Sequence, residues 1–209
     1  MNTSRPGRRL FLVAVVALAA ITAACTATTP PEAPASSGPS AQGIPPMPVT
    51  QSKAPQVTGI SAPQKLGSRA KITDSTHTKL VADAVAAVKA GTPTASSVFV
   101  AYYGTPDAKK DKIYLVGVDF STASVDLERS LNQTARDIQG QPLLVTEMPV
   151  QGDLGGEARC GDVQLLDMPS GLCGWAVKNY MVIVLWYNHE AGDLVKELAA
   201  IRGAVETKS

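Results

Sequence analysis

The side chains of this chain that are best suited to covalent chemistry are its three cysteines, which divide into one and two. Cys25 directly follows an apolar run near the N-terminus, whereas Cys160 and Cys173 lie close together in the C-terminal half. A thiol can be alkylated, can bind a metal, or can form one half of a disulfide. The spacing therefore indicates that Cys25 acts alone and that the other two act together.

The segment before Cys25 has the three parts of a secretory signal. Arg5, Arg8 and Arg9 form a basic start, residues 10–24 are apolar, and small residues precede the cysteine. An apolar helix of this length would reach only about 22 Å, against a hydrocarbon core of roughly 30 Å. We therefore expect residues 1–24 to be a signal peptide, and an uncleaved membrane anchor is disfavoured.

The end of this segment, Ile21-Thr22-Ala23-Ala24-Cys25, resembles the lipobox of bacterial lipoproteins. In that family a diacylglyceryl group alkylates the thiol, and cleavage leaves the modified cysteine as the first residue. Ala23 and Ala24 match the family pattern, while Thr22 stands where an aliphatic residue is usual. The resemblance implies a protein that is lipid-anchored through Cys25 on the extracytoplasmic face of the cell membrane. A secreted protein cut near the same place is the alternative.

The composition changes after Cys25 and again near residue 70. Nine of the fifteen prolines lie between Pro30 and Pro63, among Ala, Ser, Thr, Gly and Gln. Such a segment has too few large apolar side chains to offset its conformational entropy. We predict a disordered linker over residues 25–69 and one extracytoplasmic domain over residues 70–209, which is long enough for a single core.

Hydrophobic periodicity within residues 70–209 predicts three amphipathic helices and six strands. The predicted helices are Thr78–Ala90, Val125–Gln139 and Glu190–Val205. The predicted strands are Val98–Tyr103, Lys112–Phe120, Leu143–Met148, Ala158–Leu165, Leu172–Val177 and Tyr180–Tyr187. Short connections between strands favour antiparallel hairpins. We therefore expect an α+β fold with a largely antiparallel sheet of about six strands and three helices packed on its faces.

Two resemblances concern this domain. The element order is similar to the Mog1/PsbP-like α/β sandwich of some actinobacterial lipoproteins, which is a likeness of architecture and implies no function. The stretch Gly152–Trp175, with its two cysteines, resembles uncharacterised membrane-attached or lipid-anchored actinobacterial proteins. That resemblance implies a shared fold with the same cysteine pair.

If the protein is exported, Cys160 and Cys173 can form a disulfide. Disulfides persist in the oxidising compartment outside the membrane, and a bridge between Cys160 and Cys173 would close a loop of about 14 residues. A zinc site would need two further ligands, and only the distant His77 and His189 are available. We predict a disulfide; free thiols remain the other alternative, and no metal or cofactor is expected.

The sequence carries no nucleophile elbow, zinc-protease motif, phosphate-binding loop or dinucleotide fingerprint.

Asp119, in an otherwise apolar strand, is the carboxylate of first interest, and its simpler interpretation is a strand-end residue that supports a turn. Trp175, beside the cysteine pair, is expected in the core. Tyr102-Tyr103 and Trp186-Tyr187 end strands, where an aromatic rim could bind sugar or peptide. His189 opens the last helix. The candidate binding residues are thus Asp119, Trp175, Trp186 and His189, and no residue is assigned as catalytic.

The net charge of the chain limits the classes of molecule that it is expected to bind. Loss of residues 1–24 removes three arginines and leaves 16 basic and 18 acidic residues, a net charge of −2. Binding of nucleic acid is therefore not expected, and the run Lys109-Lys110-Asp111-Lys112 is interpreted as a solvated hairpin tip. We expect a noncatalytic binding or accessory module of the bacterial cell envelope, with an envelope protein, lipid or glycan as partner. A structural docking protein and a small secreted hydrolase are the alternatives.

Overall fold

The computed structural model describes residues 56–107, 109–120, 125–142, 146–148, 155–165 and 167–209. Cys25, the signal segment and most of the predicted linker lie outside the described residues. The helices are α1 (Ser75–Gly91), α2 (Leu127–Gln139) and α3 (Ala191–Val205). The strands are β1 (Val57–Ile60), β2 (Lys65–Leu66), β3 (Arg69–Ala70), β4 (Ala95–Gly104), β5 (Lys112–Phe120), β6 (Thr146–Met148), β7 (Glu157–Leu165), β8 (Met168–Val177), β9 (Tyr180–Tyr187) and β10 (Glu206–Lys208).

The main sheet has six strands in the order β4-β5-β9-β8-β7-β6, and every neighbouring pair is antiparallel. The α+β prediction is confirmed, as are the three helices and the positions of the six strands within a few residues. Strand β9 is buried from Met181 to Trp186, on both alternating faces. A strand of this kind requires cover on both sides of the sheet.

One face of the sheet is closed by α3. The helix buries Leu194, Leu198 and Ile201 in a cluster that also contains Trp175 and the two cysteines of the sheet. Asp162 on β7 fixes the start of the helix, since its Oδ1 accepts a hydrogen bond of 2.6 Å from the Ala191 N–H. The backbone comes so close here that a Cβ at Gly171 would lie 2.9 Å from the Ala191 nitrogen. The N-cap residue of α3 is Glu190.

Helices α1 and α2 lie on the opposite face, and they cover it unequally. Helix α2 packs on β7 and β8, where a Cβ at Gly174 would lie 3.0 Å from side-chain atoms of Leu127 and Leu131. Helix α1 packs along β4 and buries only His77 and Val88 fully. Its remaining apolar residues, which the sequence places on one stripe, are half-buried (Leu80, Val81, Ala84 and Val85).

The disulfide prediction is confirmed. Cys160 on β7 and Cys173 on β8 stand directly opposite each other in the antiparallel register and are bonded. Their Cα atoms are 4.1 Å apart, and both residues are buried on the α3 face. The bridge therefore joins two strands in the middle of the core.

The ordered domain begins earlier than the boundary at residue 69 that composition indicated. Strand β1 pairs with β10 at the C-terminus, and β2 pairs with β3. Val57 and Leu66 are 5% and 1% exposed and belong to the core under α3. Composition missed this segment because its stability comes from partners that are distant in the sequence rather than from a local apolar pattern.

Leu66→Ala tests whether this segment is part of the domain. Since Leu66 is fully buried, we expect the free energy of unfolding to fall by about 2–5 kcal/mol. The matched control is Lys65→Ala, an exposed position on the same strand, for which a change within about 0.5 kcal/mol is expected. Urea unfolding monitored by tryptophan fluorescence measures both. Equal stability of the two variants would contradict the packing of β2.

Candidate functional site

Asp119 supports a turn. Its Oδ1 accepts a hydrogen bond of 2.6 Å from Asn179 Nδ2, and the Phe120 N–H donates to the Asn179 carbonyl at 2.8 Å. Asn179 lies in the connection between β8 and β9. The Asp119 carboxylate is thus bound to the turn of the neighbouring β8–β9 hairpin.

Trp175 lies in the core, 1% exposed, on the face covered by α3. The Arg202 guanidinium carbon is 5.7 Å from the centre of its ring. Arg202 in turn pairs with Glu206 at 2.9 Å, with both side chains almost fully buried. Trp175 thus contributes to packing and is remote from the surface.

Trp186 and His189 are brought together, with ring centres 3.9 Å apart and the rings stacked. Trp186 is only 4% exposed, and its Nε1 donates to Asp111 Oδ1 at 2.7 Å. Arg69 lies over the same indole, with its guanidinium carbon 4.5 Å from the ring centre. We call Arg69, Asp111, Trp186 and Glu197 the arginine clasp.

The side chains of the arginine clasp form hydrogen bonds with one another. Arg69 Nε donates to Asp111 at 2.8 Å, and its terminal nitrogens donate to Glu197 at 2.7 and 3.2 Å. The clasp thereby joins β3 to the β4–β5 hairpin, to β9 and to α3. Because its donors are satisfied within the protein, the clasp is a structural junction. His189 stands at its margin, 4.0 Å from Asp111 and 3.8 Å from Asp193.

A second group of aromatic and basic residues lies on the other face of the sheet. The register places Tyr102 of β4 opposite Tyr114 of β5, and Lys112 of β5 opposite Tyr187 of β9. The rings of Tyr102 and Tyr114 are 4.9 Å apart. Lys112 Nζ is 4.9 Å from the Tyr187 ring centre and 5.6 Å from that of Tyr102. We call Tyr102, Lys112, Tyr114 and Tyr187 the tyrosine–lysine cluster.

The ammonium of this cluster is buried with little compensation. Lys112 is 6% exposed, in contrast to the exposed Lys109 and Lys110. Among the described residues its Nζ has a single hydrogen-bond acceptor, the Pro106 carbonyl, at the long distance of 3.5 Å, and it has no ion pair. The interpretation of residues 109–112 as a solvated tip is therefore wrong for Lys112. Two aromatic ring faces partly offset the lost hydration of its charge.

The three phenolic hydroxyls of the cluster also have unused hydrogen-bonding capacity. Those of Tyr102, Tyr114 and Tyr187 donate to no group in the described part of the chain. By contrast, Tyr103 donates to the Pro63 carbonyl at 2.9 Å and Tyr180 to that of Thr58 at 2.8 Å. The three half-buried tyrosines, whose hydroxyls are free to bond to a ligand, together with the weakly bonded ammonium of Lys112, therefore form the candidate ligand site.

Burial sets the protonation states of the cluster. Loss of hydration raises the pKa of all three tyrosines, and for Tyr187 the neighbouring Tyr102 and Tyr114 add to the effect. The phenols therefore remain protonated hydrogen-bond donors throughout the neutral range. Burial lowers the pKa of Lys112, while the carboxylates of Asp107 and Asp74 act in the opposite direction.

His77 closes one side of the cluster from the first turn of α1. Its ring stands edge-on to Tyr102 at 5.2 Å, and its Nδ1 is 2.8 Å from Asp74 Oδ2. Asp74 is the N-cap of the helix, and its Oδ1 accepts the His77 N–H at 3.1 Å. The same carboxylate thus fixes the helix start and the imidazole. Hydrogen bonds from His77 hold the pKa of Asp74 below its ordinary value.

Of the four candidate binding residues, then, the structure brings only Trp186 and His189 together, and neither belongs to the tyrosine–lysine cluster. Tyr102 and Tyr187 were recognised from the sequence as part of an aromatic rim. Lys112, Tyr114 and His77 were missed as members of a site. One signal was present in the sequence of β5. Lys112 lies on the same face of the strand as Tyr114 and Val116. Because that face is also apolar, the lysine is expected to be covered.

Comparison of the chain with protein-family models, with curated proteins and with solved structures finds no match. The helices within the described ranges are all too short or too polar to cross a membrane. Across the same ranges, histidine, cysteine and carboxylate side chains form no group suited to a metal ion. The functional argument therefore rests on the geometry of the tyrosine–lysine cluster.

Alkaline titration tests the burial of the phenols. We expect most phenolate absorbance of the folded protein to develop above the ordinary tyrosine pKa of 10.0, because burial raises the pKa of Tyr102, Tyr103, Tyr114 and Tyr187. The free energy of unfolding should fall as pH rises above 10, since the unfolded chain loses these protons first. The protein in urea is the control. Coincident titration of folded and unfolded protein would contradict the assignment.

Proposed function

We propose that this protein is a noncatalytic binding module of the bacterial cell envelope, held on the extracytoplasmic face by a lipid on Cys25. Its ligand binds at the tyrosine–lysine cluster. The observation that carries the proposal is a group of three half-buried tyrosines whose hydroxyls have no hydrogen-bond partner among the described residues, beside a buried ammonium with a single long hydrogen bond. Sites that recognise small molecules combine an apolar lining with a few placed polar groups of this kind.

Two features support the proposed location. The basic and apolar segment before Cys25 resembles the export signal of lipoproteins. The buried bridge between Cys160 and Cys173 suits an oxidising compartment, because cytosolic reductants keep most protein thiols reduced.

The chemistry of the cluster favours binding over catalysis. Phenols whose pKa is raised by burial are donors and poor bases near neutral pH. The imidazole closest to them, His77, has one ring nitrogen paired with Asp74 and presents its ring to Tyr102. The group is thus suited to hold a ligand that accepts hydrogen bonds.

Cys25→Ala tests the proposed anchor. The wild-type protein is expected in the membrane fraction, with an N-terminal Cys25 that carries the mass of a diacylglyceryl group. The variant is expected to lose that mass and the membrane association, because acyl chains supply about 0.8 kcal/mol per buried methylene. Thr26→Ala is the adjacent control and should behave as wild type. An unmodified mature Cys25 in the native host would refute the anchor.

Native mass spectrometry of protein released gently from its own membrane tests the proposed binding function. We expect a bound small molecule on the wild type and about tenfold lower occupancy on Tyr114→Phe/Tyr187→Phe, which removes two hydroxyl donors at about 0.5–1.5 kcal/mol each. Tyr180→Phe is the control, since its hydroxyl bonds to Thr58. The absence of any adduct, or equal occupancy in all three proteins, would count against this function.

A further inference from the structure

We propose that the ligand is a neutral saccharide, which is bound through its hydroxyl groups by the side chains of the tyrosine–lysine cluster. This assignment rests on the proposed binding function and adds the chemical class of the ligand to it. The hydrogen-bonding capacity, the charge and the dimensions of the cluster each support it.

The phenols of the cluster can both donate and accept hydrogen bonds. Tyr102, Tyr114 and Tyr187 are half-buried, and their hydroxyls have no hydrogen-bond partner among the described residues. Burial, which raises the pKa of all three tyrosines, keeps them protonated in the neutral range. A protonated phenol has one O–H donor and an acceptor oxygen. A saccharide hydroxyl is likewise donor and acceptor at once, so a sugar can satisfy several phenols together.

The charge around the cluster favours a ligand without charge. The ammonium of Lys112 is already under the favourable influence of the carboxylates of Asp107 and Asp74. An anionic ligand would be repelled by these two carboxylates, and a cationic ligand would be repelled by the ammonium. The ammonium has three donors and a single long hydrogen bond, to the Pro106 carbonyl. The oxygen of a neutral hydroxyl can accept from it without adding a charge to the site.

The dimensions of the cluster suit a ring that carries several polar groups. Its tyrosines lie on the neighbouring strands β4, β5 and β9, which extend about 10 Å across the sheet. Along the strands, the row of Lys112 and Tyr187 is about 7 Å from the row of Tyr102 and Tyr114. Hydroxyls around the rim of a sugar ring can reach polar groups that are spread in this way. An extended peptide, at about 3.4 Å per residue, would leave this area after about three residues.

An array of neutral oligosaccharides, followed by isothermal titration calorimetry of the full-length protein in a detergent without sugar, tests this inference. We expect at least one oligomer of glucose, galactose, mannose or N-acetylglucosamine to bind. The matching oligomer in which a carboxylate replaces each primary hydroxyl should bind about tenfold more weakly, a difference of about 1.4 kcal/mol. Triglycine, a peptide that also donates and accepts hydrogen bonds, should bind more weakly than the neutral oligosaccharide.

Variants of the cluster locate the site. Tyr114→Phe and Tyr187→Phe keep the rings and each remove one hydroxyl, so each should weaken binding of the saccharide by about threefold to tenfold. Lys112→Met should weaken it by about tenfold or more, since it removes a charged donor. Tyr180→Phe is the matched control and should leave the affinity unchanged, because its hydroxyl bonds to the Thr58 carbonyl. Circular dichroism verifies the fold of each variant, and the phenylalanine variants suffice if Lys112→Met fails to fold.

The outcomes separate this inference from the binding function. Binding of the acidic oligomer as tightly as the neutral one would overturn the neutral ligand, and equal binding of triglycine would identify a peptide site instead. Saccharide affinity that is unchanged in folded Tyr114→Phe and Tyr187→Phe would overturn the site. If no oligosaccharide binds, the saccharide assignment fails, and the binding function fails with it only when native mass spectrometry also detects no ligand.

Discussion

The architecture depends on a sheet that is apolar on both faces and must therefore be covered twice. One face is closed by α3, by β1 and by Leu66 around the disulfide. On the other face, six strands at about 4.8 Å spacing extend about 24 Å, while two helices of about 10 Å each cover less. Helix α1 packs on β4, and helix α2 packs on β7 and β8. The candidate site lies on β4, β5 and β9, where Tyr102, Tyr114 and Tyr187 are half-buried.

The position of Lys112 connects the fold to the proposed function. Hairpin register assigns this residue to an inward-facing position of β5, so its ammonium is buried whether or not a ligand is present. The rings of Tyr102 and Tyr187 make this burial tolerable through their negative faces. One set of residues thus stabilises the buried lysine and forms the proposed ligand site.

The arginine clasp explains why Arg69 and strand β3 belong to the domain. Arg69 is the residue through which β3 is bound to Asp111, to Glu197 and to the Trp186 ring at once. No local sequence pattern predicts these contacts, because Arg69 follows a proline-rich segment whose composition is typical of a linker.

The sequence by itself determined the elements whose signals are local. Periodicity located the three helices and six strands, because a half-buried helix or strand repeats its apolar residues at its own period. Proximity of Cys160 and Cys173 in consecutive strands likewise pointed to their bond. Only the tertiary structure decided that Leu66 is in the core, that Trp186 is enclosed, and that Lys112 meets Tyr187. The contacts of Trp186 with Asp111 and of Lys112 with Tyr187 each join residues 75 positions apart. Their energies arise only when strand register and helix packing bring distant side chains together.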